Sequence, residues 1–214
     1  MNEFVKETRG NINFYNCDCI EFMKTKPDNY YDLAIVDPPY GININESMGR
    51  RKGDKHSGHK KAYWDNEIPT TEYFKELKRV SNNQVVWGGN YMTENLEPSP
   101  CWLMWDKGFS EYVTFAQFEM AWTSFKSSAK KFDKNPNQQN RIHPTQKPVD
   151  LYRWILSKYA EKGMKILDTH GGSFTHAIAA DMEGFDLDIC EIDTEFFTDG
   201  LKAFDIYKMQ LNLF

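Results

Sequence analysis

The stretch Tyr31-Asp-Leu-Ala-Ile-Val-Asp-Pro-Pro-Tyr40 decides the fold, because it joins a buried strand to an abrupt stop. The run from Tyr31 to Val36 is almost continuously apolar, as is typical of a strand covered on both faces of a parallel sheet. Two prolines then remove two backbone donors and fix φ at about −65°, so the chain leaves the sheet without entering a helix. The stretch therefore predicts a parallel sheet with a functional edge after Val36.

Further strands and helices alternate along the chain. We predict strands at 12–17, 31–36, 84–87, 102–105, 115–125, 164–168 and 185–191. We predict helices at 19–26, 70–80, 149–160, 173–182 and 194–210. Apolar spacing and breaker residues give these bounds. Seven strands that alternate with helices predict a doubly wound, mostly parallel α/β sheet whose ligand crevice lies at the carboxyl ends of the strands.

Composition limits the class of protein. The 214 residues include 15 Phe, 11 Tyr and 6 Trp, so a sizeable core is available and disorder is excluded. We expect a single domain over 1–214. Neither a spanning helix nor a signal peptide is evident, so a cytoplasmic protein is expected. The net charge of −5, taken alone, argues against a nucleic-acid partner.

The turn after Val36 has the chemistry to bind an exocyclic amine. The Asp37 carboxylate and the Pro38 carbonyl are two acceptors, and the Tyr40 ring offers a flat face for stacking. The alternative is a strand that ends in a proline-rich turn, with Asp37 acting only as a cap. The candidate catalytic residues are Asp37, Pro38, Pro39 and Tyr40.

Asp37-Pro-Pro-Tyr40 resembles the catalytic motif of amino-group DNA methyltransferases, which methylate adenine N6 or cytosine N4 with S-adenosylmethionine. Four other segments resemble this family in the same order: Asn16-Cys-Asp-Cys19, His143-Pro-Thr-Gln-Lys-Pro148, Leu167-Asp-Thr-His-Gly-Gly-Ser173 and Cys190-Glu-Ile-Asp193. With the catalytic motif first, the order resembles the circularly permuted β group. The resemblance implies a seven-stranded Rossmann-like methyltransferase sheet, S-adenosylmethionine as cofactor, DNA as partner and a homodimer.

The resemblance also implies a set of cofactor-binding residues. Amides at the start of the helix after Ser173 would meet the cofactor carboxylate, and Glu191 would accept both ribose hydroxyls. Phe174 departs from the family, which has a small glycine there, and a simple glycine turn is the alternative for this loop. The implied cofactor-binding residues are Asp18, Cys19, Asp37, His143, Thr145, Lys147, Asp168, His170, Gly171, Gly172, Ser173, Glu191 and Ile192.

The charge is unevenly distributed. Outside the windows 50–61 and 126–141 the chain has 15 basic and 29 acidic residues, so the basic charge is concentrated in those windows. We predict that segments 41–66 and 126–141 are mobile and contact DNA phosphates; solvated loops are the alternative. The candidate DNA-binding residues are Arg50, Arg51, Lys52, Lys55, Lys60, Lys61, Lys126, Lys130, Lys131 and Arg141.

Two further motifs carry weaker resemblances. Pro100-Cys101 resembles the nucleophile motif of enzymes that methylate cytosine at carbon 5. Cys101 opens an apolar strand, however, and its interpretation as a structural strand residue is favoured. The final Gln210-Leu-Asn-Leu-Phe214 resembles the peptide with which bacterial DNA-processing proteins bind the sliding clamp; a helix end packed on the core is the alternative. The candidate clamp-binding residues are Gln210, Leu211, Leu213 and Phe214. No metal site is expected.

The expected function is S-adenosylmethionine-dependent methylation of adenine N6 in DNA, by direct transfer to an extruded base. Cytosine N4 chemistry is one alternative. A catalytically silent DNA- or clamp-binding module of the same fold is another. Because the two basic segments are short, we expect a short or relaxed recognition site.

Overall fold

The computed structural model describes residues 4–42, 65–109, 116–135 and 146–211, without the side chain of Leu211. The strands are Val5–Arg9 (β1), Ile12–Asn16 (β2), Tyr31–Val36 (β3), Ser81–Trp87 (β4), Trp102–Asp106 (β5), Phe118–Thr123 (β6), Lys130–Asp133 (β7), Lys165–Asp168 (β8) and Asp186–Glu191 (β9). The helices are Cys19–Lys24 (α1), Thr71–Val80 (α2), Val149–Tyr159 (α3), Thr175–Glu183 (α4) and Thr194–Leu211 (α5). Short 3₁₀ turns occupy Gly89–Tyr91 and Thr93–Asn95.

These strands form one sheet in the order β1-β2-β9-β8-β3-β4-β6-β5-β7. The five strands from β2 to β4 are mutually parallel, whereas β1 and β6 run antiparallel to their neighbours. The chain moves outward from β3 to β4 on one side and from β8 to β9 on the other. Strand order therefore reverses between β3 and β8, where a ligand crevice is expected.

Both faces of the sheet are covered. Leu33 and Ile35 of β3 belong to a buried cluster with residues of α3, α4 and α5. Ala34 and Val36, which alternate with them, belong to a second cluster with α1 and α2. The prediction of a doubly wound α/β sheet is confirmed. No helix among the described residues is long and apolar enough to cross a membrane.

Two of the strands, β1 and β7, were not predicted from the sequence. β1 and β7 lie at the two ends of the sheet, and their sequences VKETR and KKFD are mostly charged because one side of each strand faces solvent. An edge strand needs no alternating apolar pattern. The sheet therefore has nine strands in the described residues and not seven, and residues 130–133 of the predicted basic segment 126–141 form one of them.

Phe174 fixes the loop between β8 and α4 by packing inward. It precedes α4 in the left-handed conformation, with φ 55° and ψ 24°, and its ring is fully buried. A Cβ atom placed on Gly171 or Gly200 would lie 2.3 Å or 2.6 Å from this ring. The two glycines therefore make the slot that admits a phenylalanine where the family has a glycine.

Phe174→Ala should lower the free energy of unfolding by about 3–5 kcal/mol, because it empties this slot. Phe174→Gly removes the same ring but relieves the left-handed backbone, which costs other residues about 1–2 kcal/mol. The glycine variant should therefore be the more stable of the two in urea denaturation. A glycine variant less stable than the alanine variant would contradict this role of the backbone.

Candidate active site

The carboxyl ends of the parallel strands bring the predicted site residues to one edge of the sheet. Asp37 directly follows β3, and Asp168 is the last residue of β8, its neighbour. Glu191 ends β9 on one side, and Gly88 follows β4 on the other. The sequence prediction that these distant segments share a crevice edge agrees with this topology.

A buried network surrounds the Asp37 carboxylate. The Lys147 ammonium donates to Asp37 Oδ2 at 2.6 Å, and the Tyr40 hydroxyl donates to Asp37 Oδ1 at 2.7 Å. Lys147 Nζ also lies 3.0 Å from the Tyr40 oxygen, and the Lys147 side chain is 2% exposed. Lys147, expected to bind the cofactor, thus contacts the predicted catalytic carboxylate in this structure.

A second carboxylate joins this network from β6. Lys147 Nζ lies 3.1 Å from Glu119 Oε2, and Lys107 Nζ lies 2.6 Å from Glu119 Oε1. Because β6 is antiparallel to β4 and β5, Glu119 near its start and Lys107 after β5 reach the same edge as Asp37. Neither Glu119 nor Lys107 was predicted as a site residue. The only sequence signal for them was a pair of charged residues in or next to mostly apolar strands.

The network shifts the protonation of its members. Burial raises the pKa of Asp37, Lys147 lowers it and Glu119 raises it further, so it lies above its usual range. Burial also raises the pKa of Glu119, but Lys147 and Lys107 outweigh it and lower this pKa to about 2. The Lys147 pKa is depressed by burial yet raised overall by Asp37 and Glu119. Lys147 therefore stays charged, while Asp37 is the easier carboxylate to protonate.

Packing and hydrogen bonds hold the turn that carries Tyr40. The buried Asp65 carboxylate accepts hydrogen bonds from the Tyr40 amide at 2.8 Å and from the Gly41 amide at 3.2 Å. The Tyr40 ring stacks on that of Tyr91, with centroids 5.4 Å apart, and lies against Gly88. Asp65 and Tyr91 were not predicted as site residues, because nothing in their local sequence indicates these contacts.

Asp168 supports the loop after β8 from below. It is 1% exposed, and its Oδ2 lies 2.9 Å from Nδ1 of the buried His176. Its Oδ1 accepts from the His170 amide at 3.0 Å. Both oxygens of the Asp168 carboxylate therefore have partners within the protein, and the residue holds the predicted cofactor loop from its buried side.

Thr169 and His170 of the loop after β8 are held by α2. The Tyr73 hydroxyl and Thr169 Oγ1 are 2.7 Å apart, and Thr169 Oγ1 lies 2.8 Å from His170 Nδ1. Burial lowers the pKa of His170 to about 4, against the opposing effect of Asp168 and Asp18. His170 is therefore neutral near pH 7.

Glu191 fixes the other side of the loop. Its Oε2 accepts from the Gly172 amide and its Oε1 from the Asp193 amide, both at 2.8 Å. Burial raises its pKa, although the two amides oppose the shift. Ser173 is buried, and Ile192, which follows Glu191, is 66% exposed.

The segment after β2 completes this side of the edge. Asp18 is exposed and caps α1, because its carboxylate accepts from the amides of Ile20 and Glu21. Cys19 is partly buried, and burial raises the pKa of its thiol to about 12. This thiol therefore stays protonated at neutral pH.

The predicted DNA-binding residues are only partly described. Lys126 and Lys131 are exposed, and Lys130 is half-buried in β7. Lys131 pairs with Asp133 at 2.6 Å and with Asp106 at 3.2 Å, so much of its charge is already compensated. Several predicted residues lie outside the described residues: Arg50, Arg51, Lys52, Lys55, Lys60, Lys61, Arg141, His143, Thr145, Leu213 and Phe214.

Cys101 and the chain end have separate environments. Cys101 is fully buried before β5, and its sulfur accepts a hydrogen bond from Ser127 Oγ at 3.3 Å, which agrees with its interpretation as a structural residue.

Gln210, in the predicted clamp-binding segment, is exposed near the end of α5.

Comparisons with known proteins agree with this geometry. Residues 105–202 match the family model N6_N4_Mtase, described as DNA methylase. The type II methyltransferase M2.MboI of Moraxella bovis is 25% identical, over 79% of this chain and 78% of that protein. The resemblance to the N6/N4 DNA methyltransferase family is thereby confirmed.

Two solved structures share the fold. The PvuII DNA methyltransferase, described as cytosine-N4-specific, has a TM-score of 0.66 at 16% identity and covers 98% of this chain and 97% of its own. M1.HpyAVI, crystallised as a SAM complex, has a TM-score of 0.58 at 19% identity and covers 90% of this chain and 99% of its own. The Rossmann-like methyltransferase fold expected from the sequence is confirmed.

Gly88→Ala should destabilise the protein by displacing Tyr40. The new Cβ would lie 2.2 Å from the Tyr40 ring, whereas one on Gly108 would meet nothing within 4 Å. Both glycines have similar positive φ angles, 68° and 64°, so Gly108→Ala controls for backbone strain. We expect Gly88→Ala to cost about 1–3 kcal/mol more in chemical denaturation. Equal losses would contradict the packing of Tyr40 on Gly88.

Proposed function

We propose that this chain is an S-adenosylmethionine-dependent DNA methyltransferase that acts on the exocyclic amine of adenine, at N6. The observation that carries the proposal is the position of the Asp37 carboxylate. It lies at the end of β3, where strand order reverses, and beside the loop that follows β8. An acceptor for the amine and a loop for the methyl donor are therefore neighbours at one edge.

The chemistry of the donor set around the loop fits S-adenosylmethionine. Each Glu191 oxygen accepts one backbone amide, which leaves further lone pairs for the two ribose hydroxyls. Asp18, beside Glu191 at the neighbouring strand end, adds an exposed carboxylate. When bound, the cofactor supplies a methyl group on a positively charged sulfur. We propose Glu191, Gly172 and Asp18 as its main contacts.

Asp37 and the Pro38 carbonyl would orient the target amine. The lone pair of the amine is delocalised into the base, which makes the nitrogen a poor nucleophile. Two acceptors that bind the amine hydrogens would favour a tetrahedral nitrogen whose lone pair points at the methyl group. Asp37 and the Pro38 carbonyl would thus hold the nitrogen in the orientation needed to take the methyl group that the bound cofactor would supply. Alignment of the two reactants supplies much of the rate.

Tyr40 would stack on the extruded base. In this structure its ring is covered by Tyr91, which is 45% exposed. A base that stacks on that side of Tyr40 must therefore displace Tyr91, and it leaves the duplex at a cost of a few kcal/mol.

Transfer of a labelled methyl group to unmethylated DNA, followed by nucleoside analysis, tests the proposal. Label in N6-methyladenine supports it. Label in N4-methylcytosine supports the alternative chemistry, which the similar PvuII enzyme is described as having. DNA binding without label would support a catalytically silent module.

Asp37→Ala should reduce methyl transfer below detection and leave cofactor affinity within about twofold, because Asp37 would orient the amine while Glu191, Gly172 and Asp18 would make the main contacts to the cofactor. Asp28→Ala is the matched control, since its carboxylate is 72% exposed and pairs with Arg79 at 2.8 Å. Turnover and isothermal titration with the cofactor check both variants. Retained turnover in Asp37→Ala would refute the mechanism.

Combined replacement of Arg50, Arg51 and Lys52 by alanine should weaken DNA binding and flatten its salt dependence. Each lost phosphate contact reduces the slope of log K against log salt by about 0.9. Lys131→Ala should change the slope less, because Lys131 is paired with two carboxylates. Fluorescence anisotropy across a salt series measures both slopes. Equal slopes for wild type and the triple variant would exclude phosphate contact by this segment.

Two partner proposals come from the resemblance. The C-terminal Gln210-Leu-Asn-Leu-Phe214 would tether the enzyme to a sliding clamp, for which the exposure of Gln210 offers support. Homodimerisation would follow the β group.

A further inference from the structure

The Lys147 ammonium lies between three oxygens of the buried network. An ammonium has three donors, and Nζ has three oxygen neighbours: Asp37 Oδ2 at 2.6 Å, the Tyr40 hydroxyl at 3.0 Å and Glu119 Oε2 at 3.1 Å. The three acceptors fix the ammonium between the two carboxylates.

Glu119 is itself fixed on its other side. Lys107 Nζ lies 2.6 Å from Oε1, so each oxygen of Glu119 faces a different ammonium. The four side chains form a row of alternating charge, Lys107, Glu119, Lys147 and Asp37. The Glu119 side chain is 22% exposed and that of Lys107 is 14% exposed, so water screens this row poorly.

We propose that Glu119 is a positioning residue for the catalytic carboxylate: it shares the Lys147 ammonium with Asp37 and keeps an acceptor site of Asp37 open to the target amine. Without the Glu119 charge, the ammonium would turn fully to Asp37 and compete with the amine hydrogens. Lys107 holds Glu119 in place from outside. The inference rests on the proposed function for its catalytic consequence only.

Glu119→Gln tests the proposal, because it removes the charge and keeps the shape. We expect kcat to fall about tenfold to a hundredfold, because a small misplacement of a reacting group slows the reaction by such factors. KM for the cofactor should stay within about twofold of the wild-type value. Glu119→Asp keeps the charge and should recover part of the rate. Glu97→Gln is the control, because Glu97 pairs with Lys78 at 2.7 Å and is 69% exposed.

A direct titration of Asp37 needs no turnover. The titratable groups around Asp37 are Lys147, Tyr40, Glu119 and Tyr152. Glu119 raises the pKa of Asp37, so Glu119→Gln should lower that pKa. Carbon-13 NMR of the Asp37 carboxyl, assigned by its loss in Asp37→Asn, should therefore show titration at lower pH. The acidic limb of kcat should shift the same way.

The outcomes separate this inference from the proposed function. Absence of methyl transfer by the wild type would refute the proposed function, while the NMR titration still decides the role of Glu119. An unchanged Asp37 titration in Glu119→Gln would overturn the inference. An equal shift in Glu119→Asp, which retains the charge, would also overturn it, since that result indicates disrupted packing.

Discussion

The contact between Lys147 and Asp37 is the interaction on which the candidate site depends. It joins the end of β3 to the segment that leads into α3, across 110 residues of sequence, at the point where strand order reverses. A buried carboxylate without a partner is strongly disfavoured, and Lys147 provides that partner. Glu119 shares the same ammonium, so Lys147 bridges two carboxylates and is not committed to Asp37 alone.

The predicted cofactor side of the crevice is built differently, from backbone amides and inward packing. Glu191 accepts two amides, Asp168 braces the loop from below, and Phe174 fills a slot between glycines. These contacts hold the loop without the usual glycine at position 174. Charged side chains therefore surround Asp37 on one side of the crevice, and backbone groups shape the loop after β8 on the other.

Much of the fold was predictable from the sequence, because buried strands such as β3 have a strong apolar signal and prolines mark their ends. β1 and β7 were missed, since edge strands face solvent and need no such pattern. In the site, Asp37 was found from its motif. Glu119 and Asp65 were not, because their roles come from long-range pairing that no local pattern records.

A crystal structure with a cofactor analogue and a DNA duplex that contains the target base tests the central claim most directly. The account predicts the target amine nitrogen about 2.7–3.2 Å from both an Asp37 oxygen and the Pro38 carbonyl, with Lys147 still bridging Asp37 and Glu119. An amine that lies beyond hydrogen-bonding distance of Asp37 would contradict the account.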